Sequence, residues 1–182
     1  RHGSFFEWHN QWYFAYCDIS QTGNRWFRDT FISYVHYKDN GEMAIIRVDG
    51  IGVGQYDANN GYIEAEDYFK ANGVQKIENT MGGFSIKPTE NNGFVTYPNI
   101  QNLKSKSTIE FEILSTTDTE IEVRGGAPNG KLLSTCKFPA NGTKAFQKES
   151  FKTKELYNGQ TICLVFKPSA NSNLKINRFR FK

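Results

Sequence analysis

Two glutamates, Glu64 and Glu66, stand one residue apart in the stretch IEAEDYF (63–69). Successive side chains of a strand point to opposite faces, so the two carboxylates would share one face and Ile63 and Ala65 the other. Like charges side by side repel each other unless water or a cation lies between them. The spacing therefore leaves two interpretations open, a solvated strand face or a site that holds a cation.

Short strands separated by turns surround this pair, and no helical period is present. In STIEFEIL, Ile109, Phe111 and Ile113 alternate with Glu110 and Glu112, which predicts one buried and one wet face. The turn segments APNGK (127–131) and PANGT (139–143) each contain Asn-Gly. Such a series of strands indicates a β-sandwich or jelly roll. The predicted strands after residue 63 are GFVTYPNI, STIEFEIL, TEIEVRG, KLLSTCKF, QTICLVFK and NLKINRFRF.

Two further patterns predict local geometry. SFFEWHNQWYFAYC indicates a hairpin with its turn at His9-Asn10, and TFISYVHYKDNGEMAIIRV indicates a second one that turns at Asn40-Gly41. In the last strand, apolar residues change from even positions (Leu174, Ile176) to odd ones (Phe179, Phe181). That change of parity predicts a β-bulge near Asn177-Arg178.

The composition changes along the chain. Residues 1–62 hold five Lys/Arg against seven Asp/Glu, a charge of −2, and residues 63–182 hold seventeen against twelve, a charge of +5. GVGQYDANNGY (52–62) is rich in Gly and Asn. We therefore expect a first domain over 1–55, a linker over 56–62 and a second domain over 63–182.

The composition also excludes some partners. The lysines of the second domain alternate with acids and form no basic block with interleaved aromatics, which argues against nucleic acid. No run of eighteen apolar residues exists, which argues against a membrane span. The first residues are already strand-like, so we expect the chain to be a piece of a longer protein. Cys17, Cys136 and Cys163 lack metal-ligand spacing; Cys136 and Cys163 lie in predicted strands and are expected to be buried free thiols.

From GYIEAEDYF to NLKINRFRF, residues 63–182 resemble a family 6 carbohydrate-binding module in the order and spacing of their strands. The resemblance implies a β-sandwich jelly roll in which Glu64 and Glu66 ligate a structural calcium. Carboxylate oxygens are the ligands that calcium prefers. A third carboxylate of the family falls on Asn177, a neutral oxygen donor, so the site would keep its geometry and lose one charge.

The same resemblance implies a sugar-binding cleft among loops at one end of the sandwich, with two aromatic residues and an asparagine. Phe84 matches one aromatic loop and is either a stacking residue or a core residue. Phe146 falls on a core tryptophan of the family, with Thr143 at the stacking position, or on the stacking position itself if the ANGTKAF loop contains a gap. Lys175 occupies the place of the family's sugar-binding asparagine. Asn92 either supplies an amide or forms part of a turn.

Upstream, RHGSFFEWHNQWYFAYC and NRWFRDTFISYVHYKDNGEMAIIRVDGIGVGQ resemble the closing blade of a family 43 glycoside hydrolase, a five-bladed β-propeller. The resemblance implies that His2 helps to hold an ion near the active site and that Arg28 lies near the sugar pocket. Glycoside hydrolysis needs two carboxylates around the scissile bond. In the resembled propeller these come from earlier blades, so this chain alone is not expected to hydrolyse a substrate.

These expectations give two functions. The chain is either a non-catalytic binding module that brings a xylan-, arabinan- or arabinoxylan-degrading enzyme to the plant cell wall, or a structural appendage that supports the hydrolase without binding sugar. Thr143 and Lys175 favour the appendage, because both depart from the family's cleft. The expected partners are a plant polysaccharide and the missing propeller blades, and the expected location is secreted, periplasmic or at the cell surface.

Overall fold

A computed structural model describes residues 2–182 apart from 9–10, 20–21, 38–39, 47, 49–51, 54–55, 80–82, 141–144 and 168–172. The chain divides into two compact units, Arg1–Val53 and Gly54–Lys182. Both are built from β-strands, and the described residues add only a short 3-10 helix over Ala65–Asp67. In the described part of the chain, no helix has the length and apolar character needed to cross a membrane.

The first unit contains an antiparallel sheet of three strands in the order β1-β2-β3, over Gly3–Trp8, Gln11–Asp18 and Asp29–Val35. Aromatic pairs hold the strands together, since Phe6 stacks on Tyr13 with ring centroids 5.3 Å apart. The predicted strands of the first hairpin are confirmed, and its turn at His9-Asn10 lies outside the described residues.

The second predicted hairpin differs from the expectation. Its first strand is β3, but Tyr37 and Met43 then form only an isolated antiparallel bridge. Gly41 takes a φ of +81°, which agrees with the predicted turn position. Among the described residues of 44–53 no strand forms, although MAIIRV has the composition of one.

The second unit is a β-sandwich, in which two sheets pack face to face. One sheet has the order β11-β10-β13-β8-β5, and the other has the order β12-β9-β14-β7-β6, with β4 paired to β14. The strands are β4 Ile63–Glu64, β5 Lys70–Asn72, β6 Val74–Glu78, β7 Phe84–Pro88, β8 Phe94–Ile100, β9 Thr108–Leu114, β10 Thr119–Gly125, β11 Leu132–Phe138, β12 Gln147–Lys152, β13 Gln160–Phe166 and β14 Lys175–Phe181.

The core lies between the two sheets and follows the predicted alternation. Ile109, Phe111 and Ile113 of β9 are buried, and the intervening glutamates are on the outer face. The predicted bulge in β14 is confirmed, because the register with β9 shifts between Ile176 and Arg178. Phe111, Phe166, Phe179 and Phe181 are buried, and Phe94 is half-buried.

Residues 56–62, for which the composition predicted a linker, contribute to the sandwich. Tyr56 and Ala58 are buried in its core, and Ala58 N–H donates to the carbonyl of Gln101 at 3.0 Å. The amide of Asn102 donates to both carboxylate oxygens of Asp57 at 2.9 Å. Gly and Asn in this segment therefore form turns of the second unit rather than a spacer.

The two cysteines of the sandwich are buried free thiols, as predicted. Cys136 lies in β11 and Cys163 in β13. Burial raises the pKa of each thiol to about 12.

Candidate functional site

The first strand of the sandwich lies beside the last one, at the position where the sequence suggested a cation. Glu64 ends β4 and is the cross-strand neighbour of Arg178 in β14. The predicted strand over 63–69 stops there, because the chain continues as the 3-10 helix that contains Glu66. Glu66 is only 3% exposed. The direction of the Glu66 side chain relative to that of Glu64 is thus set by this helical turn and not by strand alternation.

Tyr97 links the same turn to the core. Its hydroxyl donates to the carbonyl of Ala65 at 2.7 Å, and its side chain is fully buried. Burial, together with the nearby negative charge of Glu66, raises the pKa of Tyr97 well above its ordinary value. The phenol therefore stays protonated and remains a donor.

Asn177 is the extra residue of the β14 bulge, and its amide is held by two neighbours. The amide nitrogen donates to Glu112 Oε1 at 3.0 Å, and the amide oxygen accepts from Asn79 Nδ2 at 3.3 Å. Asn79 in turn accepts from Ser85 Oγ at 2.9 Å. These hydrogen bonds join β14 to β9 on one side and to β7 on the other.

Two carboxylates and one amide oxygen are the donor types that a hard cation prefers. Burial of Glu66 favours a positive partner, because a buried carboxylate is costly without one. Glu64 and Glu66 also interact with other groups of the protein, and Asn177 would have to give up Asn79 to turn its oxygen to an ion. Within the described ranges, no group of three or more His, Cys, Asp or Glu side chains is arranged to hold a metal. Asn177 is thus the weakest member of the set.

Three of the predicted sugar-site residues lie at one end of the sandwich, which we call the loop end; β9 and β13 finish there, and β12 and β14 begin there. Lys175 starts β14 and pairs with Leu114, the last residue of β9. Phe146 directly precedes Gln147, which pairs with Ile113. Both side chains are half-buried. Thr143, the other position considered for stacking, lies outside the described residues.

Asn92 is the third residue of the loop end, between β7 and β8. It has a φ of 59°, which asparagine tolerates better than most residues. Its N–H donates to the carbonyl of Phe166 at 3.0 Å, and its amide oxygen accepts from Lys167 Nζ at 2.7 Å. Lys167 Nζ also lies 3.4 Å from Glu122 Oε2. Asn92 is therefore both a turn residue, as one interpretation predicted, and an exposed amide with a fixed orientation.

A cavity of about 430 Å³ at the same end was not predicted from the sequence. It lies where β10 starts and where β11 and β13 finish, and the hydrogen bond between Lys167 and Asn92 borders it. Its lining offers carboxylates and ammonium groups as well as apolar surface. It is lined by Asp118, Thr119, Glu120, Lys137, Phe138, Pro139 and Lys167.

Phe84 lies away from the loop end. Ile86 of β7 pairs with Ile176 of β14 in an antiparallel ladder, so Lys175 is level with residue 87. Phe84 starts β7, three residues before residue 87, so its backbone lies about 10 Å from the level of Lys175. Lys76 Nζ lies 4.4 Å from the centroid of its ring, which covers one ring face with a cation.

His2 and Arg28, the two residues singled out in the first unit, are in contact. Arg28 Nη1 donates to His2 Nδ1 at 3.3 Å and lies 3.9 Å from Cys17 Sγ. A backbone hydrogen bond with His2 and the Arg28 guanidinium hold the pKa of the Cys17 thiol below its ordinary value. No sequence pattern places Cys17 beside this pair, because the three residues come from the segment before β1, from β2 and from the loop before β3.

Comparison with known families identifies the second unit. The family model for carbohydrate binding module (family 6) matches residues 64–182, and the chain belongs to this family. An endo-1,4-beta-xylanase A of Thermoclostridium stercorarium is 30% identical over 112 residues, which are 60% of this chain and 17% of that protein. The chain thus spans about a sixth of the length of that relative.

Solved structures give the same result for the fold. The module CsCBM6-3 from Clostridium stercorarium, in complex with cellobiose, is 26% identical with a TM-score of 0.64; the alignment covers 71% of this chain and 97% of that one. A beta-1,3-glucan binding family 6 module from Bacillus halodurans is also 26% identical, with a TM-score of 0.62 and coverage of 70% and 98%. A family 43 arabinoxylan arabinofuranohydrolase from Bacillus subtilis is 16% identical, with a TM-score of 0.66, and its alignment covers all of this chain and 40% of that one.

Proposed function

We propose that this chain is the saccharide-binding part of a plant-polysaccharide hydrolase of the xylan, arabinan or arabinoxylan type. The observation that carries the proposal is the family 6 match over 64–182, together with a loop end that offers Asn92, Phe146 and Lys175 beside a polar cavity. Sugar hydroxyls are recognised by such mixed donors and acceptors, and an aromatic ring can cover the apolar face of a pyranose. Family 6 relatives of equal identity carry cellobiose in one case and bind a beta-1,3-glucan in another, so the choice of sugar depends on the loop end and not on the fold.

We further propose that the first unit is one blade of a family 43-like propeller. The alignment with the arabinofuranohydrolase runs through both units and supports this assignment. Every residue of β1 is exposed, and Phe5, Phe6 and Trp8 are 50%, 37% and 60% exposed. A sheet with exposed aromatic residues along its edge strand is what neighbouring blades would cover. His2 and Arg28 would then serve an active site whose carboxylates lie on other blades.

We also propose a structural calcium at Glu64 and Glu66, with Asn177 as a neutral third donor. Bound calcium would tie β4 and the 3-10 helix to β14 by neutralising two carboxylates. The substrate of such an enzyme is a cell-wall polymer, so the expected location is outside the cytoplasm.

A structural appendage is the second candidate, and two observations favour it. The ring of Phe84 is covered by Lys76, and Lys175 stands where the resemblance implied a sugar-binding asparagine. In this alternative the sandwich supports the hydrolase and has no affinity for sugar.

Affinity electrophoresis of the chain through gels that contain wheat arabinoxylan, debranched arabinan or birchwood xylan separates the two candidates. Retardation by one of these polymers supports the binding module if it is lost in Phe146→Ala and kept in the matched variant Phe151→Ala. Phe151 is also a half-buried phenylalanine, but it pairs with Ile109 at the opposite end of β12. Unchanged mobility in all three gels would contradict it and support the appendage.

A further inference from the structure

The outer face of the six-stranded sheet carries most of the sandwich's excess positive charge. Because the apolar residues of β9 and β14 face the core, their neighbours face outward, and the register aligns them across the sheet. Seven cations on this face stand against three carboxylates, a surplus of four, compared with +5 for residues 63–182 as a whole. We call it the basic face; its charged residues are Lys87, Lys148, Lys152, Lys175, Arg178, Arg180 and Lys182, with Glu64, Glu110 and Glu112.

The carboxylates at the centre of the basic face, Glu110 and Glu112, are hydrogen-bonded to neighbouring side chains of the protein. Glu110 is 6% exposed and accepts from Tyr62 OH at 2.8 Å, from Arg180 Nε at 2.7 Å and from Ser150 Oγ at 3.2 Å, and it pairs with Lys182. Burial by itself would raise its pKa, but these hydrogen bonds outweigh burial and lower the pKa of Glu110 to about 2. Glu110 therefore stays ionised and orders the cations around it.

The ring of Tyr62 also contacts cations of the basic face. The guanidinium carbons of Arg178 and Arg180 lie 4.3 Å and 4.5 Å from its ring centroid, and Lys148 Nζ lies 5.6 Å from it. Its ring is thereby covered by positive charge, so it offers no free surface on which a neutral sugar could stack. The aromatic residue on this face positions arginines instead of binding pyranose rings.

The arginines keep donor groups for a ligand. Arg178 binds Glu112 through Nε at 3.0 Å, and Arg180 binds Glu110 through Nε and Nη2, each at 2.7 Å. These contacts engage Nε of Arg178 and Nε and Nη2 of Arg180, so a ligand would bind through the other guanidinium nitrogens. The side chains are 34% and 32% exposed, and Lys182 is 45% exposed. Alternate residues of one strand are about 7 Å apart, so Arg178, Arg180 and Lys182 follow one another at that spacing along one edge of the chain.

We infer that the basic face is a second saccharide site, which binds polymers that carry carboxylates, such as chains of uronic acid. Guanidinium groups bind carboxylates in pairs of parallel hydrogen bonds, and a row at fixed spacing suits a ligand whose charge repeats along its length. Nucleic acid is the less suitable polyanion, because cations already cover the ring of Tyr62, the aromatic residue described on this face, and leave it unavailable for base stacking. The inference depends on the proposed function that this module binds polysaccharide, but it concerns a different face and a different ligand class.

The test is affinity electrophoresis of the whole chain in gels with polygalacturonate, with neutral arabinoxylan or with no polymer. We expect retardation by polygalacturonate that weakens as sodium chloride is added, because exposed charges are screened. The double variant Arg178→Gln/Arg180→Gln should raise the dissociation constant for polygalacturonate about tenfold. Arg178→Lys/Arg180→Lys keeps both charges and should raise that dissociation constant only about threefold, because lysine cannot form the bidentate pair. The variant Lys148→Gln/Lys152→Gln on β12 tests the same face without removing a partner of Glu110.

The matched control is Lys70→Gln/Lys104→Gln. It removes one exposed charge from β5 of the five-stranded sheet and one from the loop between β8 and β9. An equal loss in this control would mean that net charge alone causes retention, and would overturn the site. Unretarded wild-type chain in polygalacturonate would also overturn it, as would equal binding of single-stranded DNA. Retardation by arabinoxylan alone would refute this inference and leave the proposed function intact. Retardation by polygalacturonate alone would support the basic face and contradict the neutral-polymer specificity.

Discussion

Replacing Glu110 by glutamine tests whether the charge of this buried carboxylate stabilises the sandwich. The carboxylate receives hydrogen bonds from β14, β12 and Tyr62 while it is 6% exposed. Glutamine keeps the size and one acceptor oxygen but removes the charge. Arg180 and Lys182 then lose their counter-ion, and we expect the free energy of unfolding to fall.

The size of this loss in the free energy of unfolding, and its dependence on pH, follow from the pKa of Glu110. The pKa of Glu110 is about 2 in the folded chain, against an ordinary value of 4.5. A depressed folded pKa stabilises the protein above the unfolded pKa, and the stabilisation is lost as the pH falls through the folded pKa. At pH 7 it amounts to about 3 kcal/mol, at pH 3 to about 1 kcal/mol, and near pH 2 to almost nothing. Glu110→Gln should therefore cost about 3 kcal/mol at pH 7 and about 1 kcal/mol at pH 3.

Urea denaturation followed by far-UV circular dichroism at the two pH values measures both numbers. Glu78→Gln, at an exposed position of the edge strand β6, is the matched control and should cost less than about 0.5 kcal/mol at either pH. A cost for Glu110→Gln that is the same at pH 7 and pH 3 would refute the reasoning, because the loss would then come from packing and not from charge.

Three further predictions concern the metal, the core and the thiols. Calcium at about a hundredfold excess over its dissociation constant should raise the free energy of unfolding by about 2.7 kcal/mol, and Asn177→Asp should lower that constant; melting curves that are identical in calcium and in chelator would contradict the site. Phe179→Ala, at a fully buried position, should cost 3–5 kcal/mol, roughly, in urea titrations, and a cost below about 1 kcal/mol would mean that the core is packed differently. A thiol reagent at pH 8 should label Cys17 first, because burial raises the pKa of Cys136 and Cys163 to about 12; peptide mass mapping that finds Cys136 or Cys163 labelled as fast as Cys17 would contradict their burial.

Strand alternation predicted most of the sandwich because it reports burial directly. Ile109, Phe111 and Ile113 had to share a face, and the parity change after Ile176 required a bulge that the register confirms. The strands that the sequence missed are short or polar. β12 has the sequence QKESFK, and its polar residues are tolerated because it is the edge of its sheet.

The site was harder to predict, because its geometry depends on contacts across the sheet. Glu64 and Glu66 were recognised as a pair, but the helical turn that buries Glu66 leaves no mark in the apolar pattern. Phe84 could not be separated from the loop end without the register of β7 against β14. Lys76 is buried in the edge strand β6 and covers the ring of Phe84. A hydrophobic pattern predicts an exposed position for such a lysine.

Titration of the isotope-labelled chain with xylo- and arabino-oligosaccharides, followed by amide chemical shifts, tests the central claim most directly. The account predicts saturable shifts confined to the loop end, around Asn92, Lys167 and Lys175, and their disappearance in Phe146→Ala. Unchanged spectra with every oligosaccharide, in calcium and in chelator, would contradict the claim that this sandwich binds the substrate of its enzyme.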